Sequence, residues 1–295
     1  MRNQSILMLL ALTGLVSSCE LLYSGKNLFA SLDGPDVAAI KSATGTELIE
    51  QLKAEQGGES GTFGDTFVEK LISDPGAVDT VYDNLVDIFN DGTNTYTPDT
   101  RAAAASLAAD LILATSDTAG AVVNNVASAL VALSNDSSGG EPTADELLVV
   151  LLGNLASDKA SFVDLARDMK RIAQAYDALG YALAGGGAAR VDPGDGQAAL
   201  IAFTLTEIVD AVQTKGGEDP AAKLFHDLIE PAMRGEAITD DTINNLFSTD
   251  DHNPNGATNL EAAFKSVIAP GTNSHRNELY TAAGIEALIS LLGGN

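Results

Sequence analysis

Between Ser161 and Ala184 the apolar residues fall alternately three and four apart: Phe162, Leu165, Met169, Ile172, Tyr176, Leu179 and Leu183. That spacing places all seven on one stripe of an α-helix. It is incompatible with a strand, whose side chains change face at every residue. The segment is expected to form a long core helix in an antiparallel bundle, with a dimeric coiled coil as the alternative. A second stripe, Val78, Val81, Tyr82, Leu85, Ile88 and Phe89, predicts a helix over 77–90. The run Leu147 to Leu152 is apolar all round, which predicts a central helix there. Segments 101–114, 119–133, 197–213, 221–234, 259–268 and 277–292 complete the set.

Start and stop residues punctuate these stripes. Asp74-Pro75, Thr97-Pro98 and Asp219-Pro220 each offer a side-chain acceptor followed by a proline, the pairing favoured at a helix start. Thr143 with Glu146, and more weakly Ser161 with Asp164, have capping-box spacing. Gly57-Gly58, Gly92, Gly139-Gly140, Gly185-Gly186-Gly187, Gly216-Gly217 and Gly293-Gly294 fall where the periodicity stops. No segment alternates long enough to be a strand. The expected fold is all-α, an irregular array or bundle of about ten helices. The piece Tyr176-Asp177-Ala178-Leu179-Gly180 resembles a fragment of the first helix of a tetratricopeptide repeat. The later landmarks of that repeat do not follow, and the helix starts at 74, 97, 143, 161, 219 and 239 have no constant period. A degenerate solenoid is therefore the minority expectation. The helical domain is expected over 36–295, with a candidate sub-boundary in the loop-like stretch 185–196.

The chain contains one cysteine, so no internal disulfide can hold it and packing must. Hydrophobic residues make up 45% of it, enough for a real core. The formal net charge of −25 repels phosphates and so argues against nucleic acid as a partner. It also gives an alanine-rich chain an acidic surface that keeps it soluble. Tryptophan is absent, which weakens readings based on ligands stacked against aromatic faces.

The chain opens with Arg2, an apolar run Ile6 to Leu12, and then Val16-Ser17-Ser18-Cys19. A positive start, a short apolar stretch and small residues before a cut have the layout of an export signal. The last four residues resemble the lipobox of bacterial lipoproteins. The resemblance implies removal of residues 1–18, diacylation of Cys19 on sulfur, and a short tether over 19–35. It implies a partner membrane reached through the acyl anchor. Glu20 departs from the aspartate that favours inner-membrane retention in enterobacterial lipoproteins, which points to the outer membrane of the cell envelope.

Two clusters are candidate sites. Asp251-His252-Asn253-Pro254-Asn255-Gly256-Ala257-Thr258-Asn259 resembles the opening of an EF-hand calcium loop. Asp251, Asn253, Asn255 and Asn259 stand at the first, third, fifth and ninth ligand positions, and Gly256 at the turn. The twelfth position, where that loop has a bidentate glutamate, is Ala262, and a polar Asx-rich turn explains the same residues. Arg167, Lys170 and Arg171 form a basic turn that could hold a carboxylate or phosphate, or be neutralised by Asp164 and Asp168 on the same helix. His226, His252 and His275 lack metal-ligand spacing, and no HExxH, GxSxG, CxxC or phosphate-cradling loop occurs. No cofactor is implied beyond calcium at that one loop.

Two functional readings follow. In the first, a non-enzymatic helical module presents a groove or face to a protein partner in the envelope, or to a small apolar ligand. In the second, a lipid-anchored hydrolase uses carboxylates in a cleft. A calcium-dependent adhesive or structural role is a third. Acidic side chains converging in a cavity would favour the carboxylate site, and a smooth apolar groove the interaction module.

Overall fold

The structure is a computed structural model and describes residues 36–56, 62–124, 158–214, 216–236, 238–248, 256–268, 274–286 and 289. Cys19, the tether, the run Leu147 to Leu152, the Thr143–Glu146 pair, and Asp251, Asn253 and Asn255 lie outside the described residues. Among the described residues the fold is all-α, with twelve α-helices, one π turn and no strand beyond an isolated bridge between Gln56 and Phe63. The helices are α1 (Val37–Ser42), α2 (Gly45–Glu55), α3 (Asp65–Ser73), α4 (Ala77–Phe89), α5 (Pro98–Thr115), α6 (Lys159–Ala184) and α7 (Pro193–Ala211). They continue with α8 (Pro220–Leu224), the π turn Phe225–Ile229, α9 (Glu230–Met233), α10 (Asp240–Phe247), α11 (Gly256–Ile268) and α12 (His275–Ala283).

The long stripe builds the centre. Of its seven residues, Phe162, Leu165, Met169, Ile172, Tyr176 and Leu179 are buried, and Leu183 is partly buried against the same core. Around this 26-residue helix pack α4, α5, α7, α8 and α12. Two of these neighbours are buried on most of their circumference. In α5 the residues Ala102, Ala104, Ala105, Leu107, Ala108, Ala109, Leu111 and Ile112 are all buried. In α7 an unbroken run from Ala198 to Leu205 is buried. Small side chains make such burial feasible, because alanine lets neighbouring helices approach from several directions with little side-chain entropy lost. The glycine-rich stretch after α6 joins two helices that pack on each other and share one core.

Helix starts show where local chemistry decides. Thr97 accepts a hydrogen bond from Thr100 N at 3.2 Å with Pro98 following it, and Asp219 accepts from Ala222 N at 2.9 Å with Pro220 following it. The 161 start is set three residues earlier than expected. Asp158 takes the N-cap, accepting from Ala160 N and Ser161 N, while Ser161 Oγ donates to its other oxygen at 2.9 Å. Asp74-Pro75 is not a helix start. Asp74 ends α3, its carboxylate is held by Lys41 Nζ at 3.0 Å, and α4 begins at Ala77 after Gly76 at φ 74°. With both carboxylate oxygens held by Lys41 and the chain turning left-handed at Gly76, Asp74 does not cap α4. No helix of the described residues is long and apolar enough to cross a membrane.

Candidate functional site

The residues that α6 turns toward α7 at Tyr176 open onto a cavity of about 760 Å³. Its walls come from α5, residues 120–124, the middle of α6, the segment before α7, the start of α7, the end of α2 and Thr62. The lining is aliphatic at Ala103, Leu107, Leu113, Val123 and Ala198, and polar at Gln56, Asp110, Tyr176, Asp192 and Asp195, with Lys53 and Arg190 also contributing. A second hollow of about 510 Å³ continues toward α3, sharing Thr62, Asp110 and Leu113. Asp110 thus stands where the two meet.

Local sequence explains the acid at the start of α7. Asp192-Pro193-Gly194-Asp195 forms a capping box: Asp192 Oδ1 accepts from Asp195 N at 3.1 Å, and Asp192 N donates to Asp195 Oδ2 at 2.9 Å. The other oxygen, Asp195 Oδ1, accepts from the Tyr176 hydroxyl at 3.3 Å. Both carboxyls therefore have structural duties. Asp110 has no such duty. It interrupts an apolar run in α5, Leu107-Ala108-Ala109-Asp110-Leu111-Ile112, and accepts from Gln56 Nε2 at 2.9 Å. Among the described residues no cation pairs with it.

The electrostatics follow from that arrangement. Burial, and then the negative charge of Asp195, push the Asp110 carboxyl up to about 7, against a smaller opposing effect of the Gln56 hydrogen bond. Asp195 is also raised, chiefly by burial, with its own hydrogen bonds and Arg190 pulling the other way. Burial pushes Tyr176 well above the usual phenol range, with Asp195 and Asp110 adding to the effect. Near neutrality the cavity can take up or release a proton at Asp110. The three aspartates do not form a metal-holding group: among the described residues there is no cluster of three or more His, Cys, Asp or Glu arranged for a cation.

The expected basic turn is spread out by its partners. Arg167 pairs with Asp164 at 3.1 Å and Asp168 at 3.7 Å, so the local neutralisation is present. Lys170 reaches Asp210 on α7 at 2.9 Å. Arg171 reaches Asp79 on α4 at 2.8 Å and lies over the Tyr82 ring at 5.2 Å from its centroid. A cleft of about 210 Å³ beside Arg167 and Arg171 is lined as well by Asp74, Asp79 and Asp168, so acids outnumber bases there. Of the four candidate calcium ligands, Asn259 is described. Its amide donates to Phe247 O at 2.6 Å, tying the end of α10 to the first turns of α11.

Sequence reasoning did not nominate Asp110, Asp195 or Tyr176. A lone acid in the apolar run of α5 was the available sign. The Asp-Pro-Gly-Asp start of α7 lies inside the stretch 185–196, whose composition is that of a loop. The acidic side chains do converge in a cavity, and the described faces around it do not form a smooth apolar groove. The chain matches no protein-family model, no curated protein and no solved structure.

Proposed function

We propose that this protein is an envelope lipoprotein, anchored through Cys19, whose helical body binds a small solute in the cavity between α5, α6 and α7. The carrying observation is Asp110: a carboxyl in the wall of a ligand-sized cavity, set among aliphatic side chains and held by one amide. Cavities of this size with a few convergent polar groups suit small ligands. The hydrolase reading has a specific observation in its favour, since a carboxyl near 7 suits a general acid. It needs a second carboxyl free to act, however, and Asp192 and Asp195 are engaged in capping α7. Binding is therefore the reading preferred here.

The anchor is tested by Cys19→Ala, which is expected to leave the protein soluble and unacylated; an unmodified native terminus in mass spectrometry would remove the anchor from the proposal. The binding role is tested on protein purified from the producing cell and then denatured. A small molecule released in proportion to protein is expected, and it should be missing from Ala103→Phe, which fills the cavity. A folded protein that releases nothing from either form would overturn the reading.

A further inference from the structure

The cavity's chemistry narrows what it takes, on the premise that it is the binding site. We propose that it receives an organic cation with an aliphatic body, the ammonium set against Asp110 and the hydrocarbon against the α5 wall. Three features carry this. First, the cavity has two kinds of wall: Ala103, Leu107 and Leu113 of α5 present hydrocarbon, while Asp110 presents a carboxyl within the same helix. Second, Gln56 engages one oxygen of that carboxyl, Oδ2, and the negative charges of Asp195 and Asp192, which line the same cavity, disfavour its ionisation. A half-buried carboxylate beside other acids is costly to ionise until a cation joins it. Third, the acids do not close around one point as metal ligands do, among the described residues. An extended cation with one charged end fits a single accessible carboxyl better than a bare metal ion.

Below about pH 7 the empty site therefore keeps a proton on Asp110, and a cation displaces it. The charged or titratable groups facing Asp110 are Lys53 on α2, Tyr176 on α6, Arg190 before α7, and Asp192 and Asp195 at its start, with Asp65 and Glu69 of α3 lining the adjoining hollow. Lys53 is exposed, so its charge is largely screened by water. Asp110 must be ionised to hold an ammonium, so affinity rises with pH up to about 7 and then levels. It falls again only where an alkylamine loses its own proton, near about 10.

The test uses the full chain carrying Cys19→Ala and three probes with one tail: hexan-1-amine, hexan-1-ol and hexanoate. Titration calorimetry near pH 8 should show the amine bound at least about tenfold more tightly than the alcohol, about 1.4 kcal/mol, with hexanoate weakest. Near pH 5 the preference should shrink to less than about threefold, with proton release visible as a buffer-dependent heat near pH 6. Asp110→Asn should abolish the amine preference at every pH. If the alcohol binds as well as the amine near pH 8, the cation inference fails and the cavity reading stands. If no probe binds and the purified protein carries no small molecule, the cavity reading itself fails.

Discussion

Two adjacent residues of α6 look into opposite surroundings. Tyr176 faces the cavity, where it donates to Asp195 and lies near Asp110. Asp177 faces α12, where His275 Nε2 stands 2.6 Å and Arg276 Nε 3.4 Å from its Oδ1. Arg276 also reaches Glu207 of α7 at 3.0 Å, donates to Ser266 O and lies 4.3 Å from the centre of the Phe203 ring. Acids therefore stand on both sides of α6: two basic side chains of α12 hold Asp177 directly, while among the described residues no cation pairs with Asp110. The lesson is that a strongly acidic composition says little about any one carboxyl. Its neighbours decide whether it holds the fold together or stands available.

The contrast can be broken most forcefully at Arg276. Arg276→Ala removes a partner from Asp177 and Glu207 at once and leaves two half-buried carboxylates behind. We expect a loss of about 3 kcal/mol in urea denaturation, since breaking such a pair costs more than the pair contributes. Wild-type stability would show that the clasp is ornamental.

Gly180→Ala tests how the paired side is spaced. A Cβ at Gly180 would stand 2.6 Å from the His275 carbonyl oxygen, a backbone atom that cannot swing aside. Moving α12 away is expected to cost about 2 kcal/mol, read from the same denaturation curves. An unchanged midpoint would mean that α12 moves without resistance.

Asp110→Asn sharpens the other side with the opposite sign. The Asp110 carboxyl is raised in the folded state from 3.8 to about 7, so the folded protein keeps a proton that the unfolded chain has lost. Its stabilising contribution is present at low pH and declines as pH rises from about 4 to about 7. Asparagine can still accept from Gln56 and never ionises. The variant should therefore be more stable than wild type near pH 8, by about 2 kcal/mol, and nearly equal near pH 4. A gain independent of pH would mean that the carboxyl is not strained by burial. At the small end, Lys170→Ala removes an exposed pair with Asp210 and should cost under about 0.5 kcal/mol. A larger loss would show that even exposed pairs carry weight in this chain.

The fold was legible wherever a residue and its partner are close in sequence. The α6 stripe, the Thr97-Pro98 and Asp219-Pro220 starts and the all-α class all rest on contacts within one or two turns. Two helix starts depart from the expectation, one for a local cause and one for a distant one. Asp158 outcompeted Ser161 as a cap because a carboxylate can take two backbone N–H groups and a hydroxyl together. Asp74 was drawn away by Lys41, 33 residues earlier. The cavity was not legible because its defining pairs, Gln56 with Asp110 and Tyr176 with Asp195, join different helices. Periodicity reports which face of a helix is apolar. It does not report which neighbour a lone aspartate on that helix will meet.

The contact between α12 and α6 also bears on the order of assembly. Asp177 and His275 are separated by 98 positions, so their meeting closes a long loop whose entropy must be met before the contact forms. The α4–α5 pair and the α10–α11 pair close far shorter loops. Pairing across such a span is expected late in folding, and a nine-residue helix docked mainly on α6 is expected among the first to open. Amide hydrogens of α12 should therefore exchange sooner than those at the centre of α6, so that the last helix to dock is also the first to leave.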